Sequence, residues 1–302
     1  MSANTTVSET TFRSREVERR VTGQAVSDGA GVKLLRVLTA DLQRRLDPFL
    51  MLDEFRSDNP DDYLAGFPNH PHRGFETVTY MLVGRMRHRD NAGHEGLLTA
   101  GGMQWMTAGR GIVHSERVPT DVRADQVAVQ GIQIWLALPA EREEMEPAFH
   151  HYPEEALPAF AVRGVSLQLL IGSAFGLRSP VVTYSPTFQA DVKLAEGGTL
   201  ALPPDYPERG VYLTEGELAV EGEPLAAGQL AVLTPGQTVR LQARTRARLM
   251  LLGGAPLDGK RFIYWNFVAR TRERIEAAKA DWAEGRFAPV PGETEFIPAP
   301  WQ

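Results

Sequence analysis

Short strand-like runs, separated by turn residues, recur along most of this 302-residue chain. Each run is rich in β-branched or aromatic residues, often alternates between apolar and polar positions, and is bounded by Gly, Pro, Asp or Asn. Evenly spaced short strands are typical of a β-sandwich or barrel, so the pattern predicts a mainly all-β protein. The clearest runs are residues 76–84, 129–138, 165–174, 210–222 and 246–254.

The two halves of the chain resemble each other. "TYMLVGRM" (79–86) matches "VYLTEGEL" (211–218), and "GGMQWMTAGRG" (101–111) matches "AGQLAVLTPGQ" (227–237). Both pairs follow one scheme of strand, Gly turn, strand and a Gly-led segment that enters another turn. The repeat predicts a duplicated β domain.

One segment between the halves breaks the strand pattern. Residues 138–160 are acidic and contain four prolines, which is typical of a connecting segment. We therefore predict a first domain over 1–140, a linker over 141–158 and a second domain over 159–302. His150 and His151 lie in this linker, and we expect both to be exposed to solvent.

One helix is predicted, over residues 271–285. Thr271 can cap its first turn, and Gly285 can end it. Ile275, Ala278 and Trp282 fall on one face, which predicts that this face packs on the body of the protein.

Composition excludes several classes of protein. The chain has no cysteine, which rules out disulfides and thiolate metal sites. Its net charge of −6 argues against nonspecific binding of nucleic acid, which requires clustered Lys and Arg. The N-terminus has no apolar signal-peptide core, and no segment has the length and hydropathy of a membrane-spanning helix. We expect a cytoplasmic protein that binds neither membranes nor nucleic acid.

Two histidine-containing pairs stand out among the seven histidines of the chain. His70 and His72 are separated by one residue, as are His114 and Glu116. Because side chains of a strand alternate between faces, each pair can point the same way, and neighbouring strands would give three imidazoles and one carboxylate. This set suits Fe²⁺, Mn²⁺, Ni²⁺ or Zn²⁺.

The number of ligands bears on the type of site. On a six-coordinate ion, four protein ligands leave two positions for water, substrate or O₂. A tetrahedral zinc ion would be saturated by the same four residues, and the site would then be structural. The residues alone do not decide between these metals.

The stretches that carry these residues resemble a known family. "HPHRGFETVTYMLVG" followed by "GGMQWMTAGRGIVHSE" is similar to the pirin family of the cupin superfamily, most strongly over residues 30–140. The C-terminal "RFIYWNFVARTRERIEAAKADWAEGRF" resembles one bacterial branch of pirins. The resemblance implies a bicupin with two cupin-type barrel or jelly-roll domains and a C-terminal helix. It also implies one divalent metal, usually Fe²⁺, held by His70, His72, His114 and Glu116.

The second half lacks these ligands. Aligning its glycine turns with those of the first half places Leu202 and Pro204 at the first histidine pair, and Arg240 and Gln242 at the second pair. No histidine follows His151. We therefore expect the second domain to hold no equivalent metal and to support the first.

Other residues near the motifs are assigned supporting, surface or packing roles. Glu76 matches a further ligand of the general cupin pattern, but in pirins the carboxylate ligand follows the third histidine, so we assign Glu76 a supporting or structural role. His94 is predicted on a loop at the cavity mouth, where it could donate a hydrogen bond or lie free on the surface, and His88 is predicted to be exposed. Four further residues can line an apolar pocket or pack in the core: Phe75, Met103, Trp105 and Met106.

The resemblance implies two classes of function. Some pirins are quercetin 2,3-dioxygenase-like enzymes, which implies a flavonol or phenolic substrate, O₂ and Glu116 as the catalytic proton acceptor. Other pirins are regulators, which implies an iron-binding, redox-sensitive protein that modulates a protein partner without turnover. A metal-stabilised scaffold is the third interpretation. We expect a monomer in each case.

Overall fold

The computed structural model of the protein describes residues 17–29, 31–39, 42–59, 66–120 and 128–301. The polar N-terminal segment, residues 1–16, lies outside the described residues. Strands dominate the part that is described, which confirms the mainly all-β prediction.

The first half contributes eleven of the described strands. They are β1 (Val17–Thr22), β2 (Gln24–Asp28), β3 (Val32–Leu38), β4 (Phe49–Ser57), β5 (Phe67–His72), β6 (Phe75–Val83), β7 (Arg85–Asp90), β8 (Glu95–Thr99), β9 (Met103–Thr107), β10 (Ile112–Arg117) and β11 (Val129–Ala137).

The second half repeats this series and ends in a hairpin and a helix. Its strands are β12 (Ala148–Tyr152), β13 (Ala159–Val162), β14 (Val165–Ala174), β15 (Leu177–Arg178), β16 (Thr187–Leu194), β17 (Thr199–Leu202), β18 (Glu208–Glu215), β19 (Glu217–Val220), β20 (Glu223–Ala226), β21 (Gln229–Leu233), β22 (Val239–Ala243) and β23 (Ala247–Gly254). The hairpin is β24 (Phe262–Tyr264) and β25 (Phe267–Ala269), and the helix is α1 (Arg272–Ala283).

The strands form four main sheets that correspond in pairs. Sheet 1 has the order β12-β9-β6-β11-β4-β3-β2, and sheet 3 has the order β1-β21-β18-β23-β16-β14-β13 with β15 beside β14. Sheet 2 is β5-β10-β7-β8, and sheet 4 is β17-β22-β19-β20. The two halves therefore share one topology strand by strand, as the internal repeat predicts.

Each large sheet ends in a strand from the other half of the chain. β1 pairs with β21 of the second half, and β12 pairs with β9 of the first half, both antiparallel. Residues 141–158, the predicted linker, contribute β12 to sheet 1. One short 3₁₀ helix, Ala140–Arg142, overlaps the start of this segment, and another, Glu154–Ala156, lies within it. This exchange of strands joins the two halves through backbone hydrogen bonds.

Three apolar clusters hold the sheets together. The first lies between sheets 1 and 3 and includes Trp105 and Tyr212, so these two sheets pack back to back. The second fills the space between sheets 3 and 4 with aliphatic side chains such as Leu213 and Leu241. The third lies between sheets 1 and 2 but occupies only part of that barrel, around Met81 and Leu98. The rest of the first barrel combines buried polar side chains, such as Thr79 and Glu116, with a smaller apolar cluster around Phe75 and Trp135.

The C-terminal helix begins and packs as predicted. The Thr271 side chain accepts a hydrogen bond from the backbone N–H of Arg274, and Ile275 and Ala278 are buried. The helix contacts β25, which lies against the turn that follows β5. Gly74 in that turn has φ +88°, and a Cβ there would lie 1.9 Å from the Val268 carbonyl oxygen. Only glycine permits so close an approach.

No helix in the described ranges is long and apolar enough to span a membrane.

Two buried tyrosines connect the large sheets in a reciprocal manner. Tyr80 of β6 donates to Asp191 of β16 at 2.9 Å, and Tyr212 of β18 donates to Glu54 of β4. The two tyrosines occupy equivalent strands of the repeat, as do the two carboxylates. Asp191 also accepts two hydrogen bonds from the guanidinium of Arg248, at 3.0 and 2.6 Å.

We predict unequal losses of stability when either hydroxyl is removed. Tyr212→Phe should lower the free energy of unfolding by about 2 kcal/mol, because Glu54 keeps only the amide of Gln130 as a donor. Tyr80→Phe should cost about 1 kcal/mol or less, because Asp191 stays paired with Arg248. Urea unfolding of both variants measures the difference. Equal losses would contradict this account of the interface.

Candidate metal centre

The pairing of β5 with β10 places the predicted ligands. The strands are antiparallel, with His70 opposite His114 and His72 opposite Ile112. β5 is the edge strand of sheet 2, a position that tolerates prolines such as Pro68 and Pro71. The register therefore brings both strands' histidines to one end of the barrel.

Three histidines form one compact group. One ring nitrogen from each of His70, His72 and His114 lies within 4.8 Å of the others. The ring centroids are 4.8 Å apart for His70 and His72, 4.3 Å for His70 and His114, and 4.8 Å for His72 and His114. All three residues are buried, with at most 4% of their surface exposed.

The hydrogen bonds leave ring nitrogens of this group without partners. The Nδ1 atom of His70 lies 2.8 Å from the Pro68 carbonyl oxygen, so it carries the proton and its Nε2 atom has a lone pair. Neither ring nitrogen of His72 has a hydrogen-bond partner, and neither does Nε2 of His114. Buried polar atoms without partners are rare in proteins. A divalent cation between the rings would satisfy one nitrogen of each ring, so these residues fit a metal ion.

Burial keeps the three imidazoles neutral. It lowers the pKa of His70, although the Pro68 carbonyl and the charge of Glu116 act in the opposite direction. Burial and the neighbouring histidines lower the pKa of His72 and of His114 well below the ordinary value. Neutral imidazole is the form that binds metal, so the environment preselects the ligating state.

Glu116 lies next to the group with both carboxylate oxygens engaged. Thr79 donates to Oε1 and Gln133 donates to Oε2, each at 2.9 Å. The strand register shifts between His114 and Glu116, and Glu116 is opposite Phe67. The group of three histidines does not include it. Each oxygen of an ionised carboxylate has two lone pairs, so one site on each remains free.

The large apolar residues near the motifs do not form one pocket. Phe75 packs edge-on against His72 with a centroid distance of 5.1 Å, and Trp135 does the same at 5.6 Å. Met103 and Trp105 belong instead to the cluster between sheets 1 and 3, and Met106 to a separate small cluster. Phe75 is therefore the one member of the predicted pocket set that contacts the histidine group, and Trp135 was missed.

Glu76 points away from the histidines, and its role is structural. Its carboxylate accepts hydrogen bonds from Trp105 at 2.9 Å and Thr107 at 2.7 Å, on the side of the sheet that faces the second half. Burial raises the pKa of Glu76 to about 7. This matches the supporting role expected for it.

The other histidines were predicted with mixed success. His150 and His151 are exposed, as expected. The prediction that His88 is exposed was wrong, because its side chain is only 2% exposed and stacks on Phe149 at 4.1 Å. Phe149 belongs to β12, whose place in sheet 1 the sequence does not reveal. His94 is 41% exposed and hydrogen-bonds to Asp90.

Two adjoining cavities lead to the histidines. An inner cavity of about 30 Å³ is lined by His70, His72 and Gln133, among others. An outer cavity of about 280 Å³ is lined by Arg36, Thr39 and Ile263, among others. The two share five lining residues: Asp28, Met51, Trp135, Trp265 and Asn266. The inner cavity holds about one water molecule, whereas the outer one approaches the size of a small-molecule site.

The second barrel contains no comparable group among the described residues. Leu202, which the alignment places at the first histidine, is buried in the aliphatic cluster. The guanidinium of Arg209 is buried in the same barrel and donates to the carbonyl oxygens of Pro203 and Thr234, at 3.0 and 2.9 Å. The interior of this barrel is thus closed by side chains.

The lowered histidine pKa values predict a pH-dependent stability of the metal-free protein. Each buried histidine binds its proton more weakly when folded than when unfolded, so stability is retained above the unfolded pKa of about 6.5 and falls as the pH drops below it. Each such histidine contributes a slope of up to about 1.4 kcal/mol per pH unit. Because that slope is only approached well below pH 6.5, His72→Gln should reduce the loss between pH 6.5 and 5.5 by about 1 kcal/mol. Urea unfolding in chelator at several pH values measures it, and identical slopes for both proteins would contradict neutral, buried histidines.

Comparison with known proteins connects this geometry to a family. Residues 31–136 match the Pirin family, and residues 189–288 match the Pirin C-terminal cupin domain. A pirin-like protein of Caulobacter vibrioides is 43% identical over 273 residues, covering 88% of this chain and 93% of that protein. A Pseudomonas aeruginosa protein named as a candidate quercetin 2,3-dioxygenase is 42% identical over 286 residues, covering 91% of this chain and 99% of that protein.

A solved structure agrees over the same extent. The crystal structure of quercetin 2,3-dioxygenase from Acinetobacter baumannii matches with a TM-score of 0.86 at 27% identity, covering 91% of this chain and 99% of that one. The two family matches fall on the two barrels, and the alignments run through both. The chain belongs to the pirin family, and its two barrels are the two cupin domains of a bicupin.

Proposed function

We propose that this protein is a metal-dependent dioxygenase that acts on a flavonol or another phenolic substrate, with Fe²⁺ as the metal. The observation that carries the proposal is the group of three buried, neutral imidazoles whose lone pairs meet beside two adjoining cavities. Relatives named for quercetin 2,3-dioxygenase activity support the same substrate class. The absence of cysteine is compatible with work in the cytoplasm.

His70, His72 and His114 would hold the ion, with Glu116 as the fourth ligand. A bound Fe²⁺ ion supplies open coordination positions for a phenolic oxygen and O₂. Three neutral histidines and one carboxylate leave the centre with a charge of +1, which favours an anionic ligand atom. That preference suits a phenol that has lost its proton.

We assign Glu116 as the acceptor of the substrate proton. Thr79 and Gln133 each donate to one of its oxygens and so fix the plane of the carboxylate. Gln133, the donor to Oε2, lines the inner cavity. The free lone pair of Oε2 can accept the proton of the substrate hydroxyl.

The two cavities suggest how a larger substrate is held. The inner cavity has room for one small group beside His70 and His72, whereas the outer cavity has about nine times that volume. We assign the ligating hydroxyl to the inner cavity and the aromatic rings to the outer one. Trp135 and Trp265 line both cavities and offer faces for stacking on flat rings.

We predict that activity requires the histidine group. Fe²⁺-loaded protein prepared without oxygen and mixed with quercetin in air should consume O₂ and bleach the flavonol absorbance. His70→Ala and His114→Ala should abolish both signals and lower the metal content below one ion per chain. His150→Ala, which changes an exposed histidine, is the matched control and should behave as wild type.

Glu116→Gln tests the proton acceptor separately. It preserves the shape of the side chain but cannot take a proton, so turnover should fall by about 10²–10⁴-fold. Metal content should fall less than in the histidine variants. Full activity in Glu116→Gln would contradict the assigned role, and full activity in His114→Ala would contradict the metal-dependent mechanism as a whole.

Substrate access generates a further prediction. Thr39 lines the outer cavity but not the inner one. Thr39→Trp should therefore raise KM for the flavonol while leaving metal content unchanged, and Thr39→Ala should have little effect on either. Unchanged KM in Thr39→Trp would place the substrate elsewhere. An O₂-uptake screen over other phenols would then identify the true substrate.

A further inference from the structure

A chain of buried hydrogen bonds runs from His114 to the protein surface. Nδ1 of His114 lies 3.2 Å from Nδ1 of His88. Nε2 of His88 lies 3.2 Å from Oδ2 of Asp90, and the same oxygen lies 2.9 Å from Nδ1 of His94. The other two histidines of the group have no such extension: His70 is bonded to a backbone carbonyl, and His72 has no hydrogen-bond partner among the described residues.

The sheet register and packing hold this chain in place. β10 pairs with β7 so that His114 is opposite Asp90 and Glu116 is opposite His88. The side chains of His88 and Asp90 are 2% and 0% exposed, respectively. The ring of Phe149 stacks on His88 with an interplanar angle of 10°. Neither ring nitrogen of His88 can turn towards water without breaking these contacts.

Asp90 fixes the direction of the chain. Its Oδ1 atom accepts hydrogen bonds from the backbone N–H groups of Ala92 and His94, at 3.0 and 2.9 Å. Its Oδ2 atom is left to the two histidines. Oδ1 faces two backbone N–H donors and Oδ2 lies between two imidazole rings, so both oxygens act as acceptors and His88 donates from Nε2.

The tautomers then follow one from another. The facing Nδ1 atoms of His88 and His114 share one hydrogen bond and therefore one proton. With His88 donating from Nε2, we place that proton on Nδ1 of His114, so that Nδ1 of His88 accepts it. His114 therefore carries its proton on Nδ1, and its Nε2 atom presents a lone pair to His70 and His72. That atom is the unpartnered nitrogen of the candidate metal centre.

We infer that Asp90 and His88 are positioning residues that set the tautomer and ring orientation of His114 for metal binding. The inference rests on the proposed metal function. It assigns a role to two residues that contact neither the metal position nor the cavities. Such outer partners of a metal-binding histidine usually alter metal affinity by about 10–100-fold.

Asp90→Asn provides a sharp test because it should reverse the direction of the hydrogen bonds that run from residue 90 through His88 to His114. The backbone N–H groups of Ala92 and His94 require an acceptor, so the amide oxygen should occupy the position of Oδ1. The NH₂ group then takes the place of Oδ2 and donates to His88. His88 would then donate from Nδ1, and His114 would carry its proton on Nε2. Proton–nitrogen correlation spectra of ¹⁵N-histidine-labelled, metal-free protein distinguish these tautomers. We expect His114 to be protonated on Nδ1 in wild type and on Nε2 in Asp90→Asn.

Metal affinity provides a second readout. Competition titration with Ni²⁺ should give 10–100-fold weaker binding for Asp90→Asn and for His88→Phe, which preserves the stacking on Phe149 but removes the acceptor. His88→Asn restores an acceptor near the Nδ1 position and should recover most of the affinity. His94→Gln is the matched control, because it changes the exposed end of the chain and leaves the direction set by Asp90.

The outcomes separate this inference from the proposed activity. His114 protonated on Nε2 in wild type, or wild-type affinity in both Asp90→Asn and His88→Phe, would overturn it. Should Asp90→Asn fail to fold, the wild-type spectrum and the two His88 variants still decide. The expected tautomers and affinities without any flavonol turnover would support the positioning role and overturn only the dioxygenase proposal.

Discussion

The antiparallel register of two short strands, β5 and β10, is the constraint on which the site depends. It sets His70 opposite His114, and it places His72, two residues further along β5, opposite Ile112. A shift of one residue would turn these side chains to the other face of sheet 2. The same register that gathers the imidazoles also buries them and so removes them from water. Burial then keeps them neutral, and it leaves ring nitrogens that only a cation or a new hydrogen bond can satisfy.

The two barrels show how one topology supports two different interiors. Their sheets correspond strand by strand, and each large sheet is completed by a strand from the other half. The second barrel is filled with aliphatic side chains and closed by Arg209. It therefore contributes stability, and its sheet 3 packs against sheet 1 of the first barrel. The first barrel keeps polar residues in part of its interior and is covered by the C-terminal hairpin, which supplies Trp265 and Asn266 to both cavities. A site in one barrel thus depends on segments from the whole chain.

Much of the fold was predictable from local patterns. Alternating runs gave the strands, the Gly-centred repeats indicated the duplication, and Thr271, Ile275 and Ala278 located the helix. The histidine group was predictable because period-two spacing and strand pairing are short-range rules. Long-range contacts were not predictable. The residues that decided them include Phe149, whose strand crosses to the first half and buries His88, and Trp265, whose hairpin returns from the C-terminus to line the cavities.

The account's central claim is that His70, His72 and His114 hold one metal ion in the first barrel and that the second barrel holds none. Anomalous diffraction from crystals of the Fe²⁺-loaded protein, collected at the iron edge, tests it most directly. The account predicts a single anomalous peak per chain within bonding distance of one ring nitrogen from each of these histidines, at about 2.1 Å. A peak in the second barrel, or no peak among the three histidines, would contradict it.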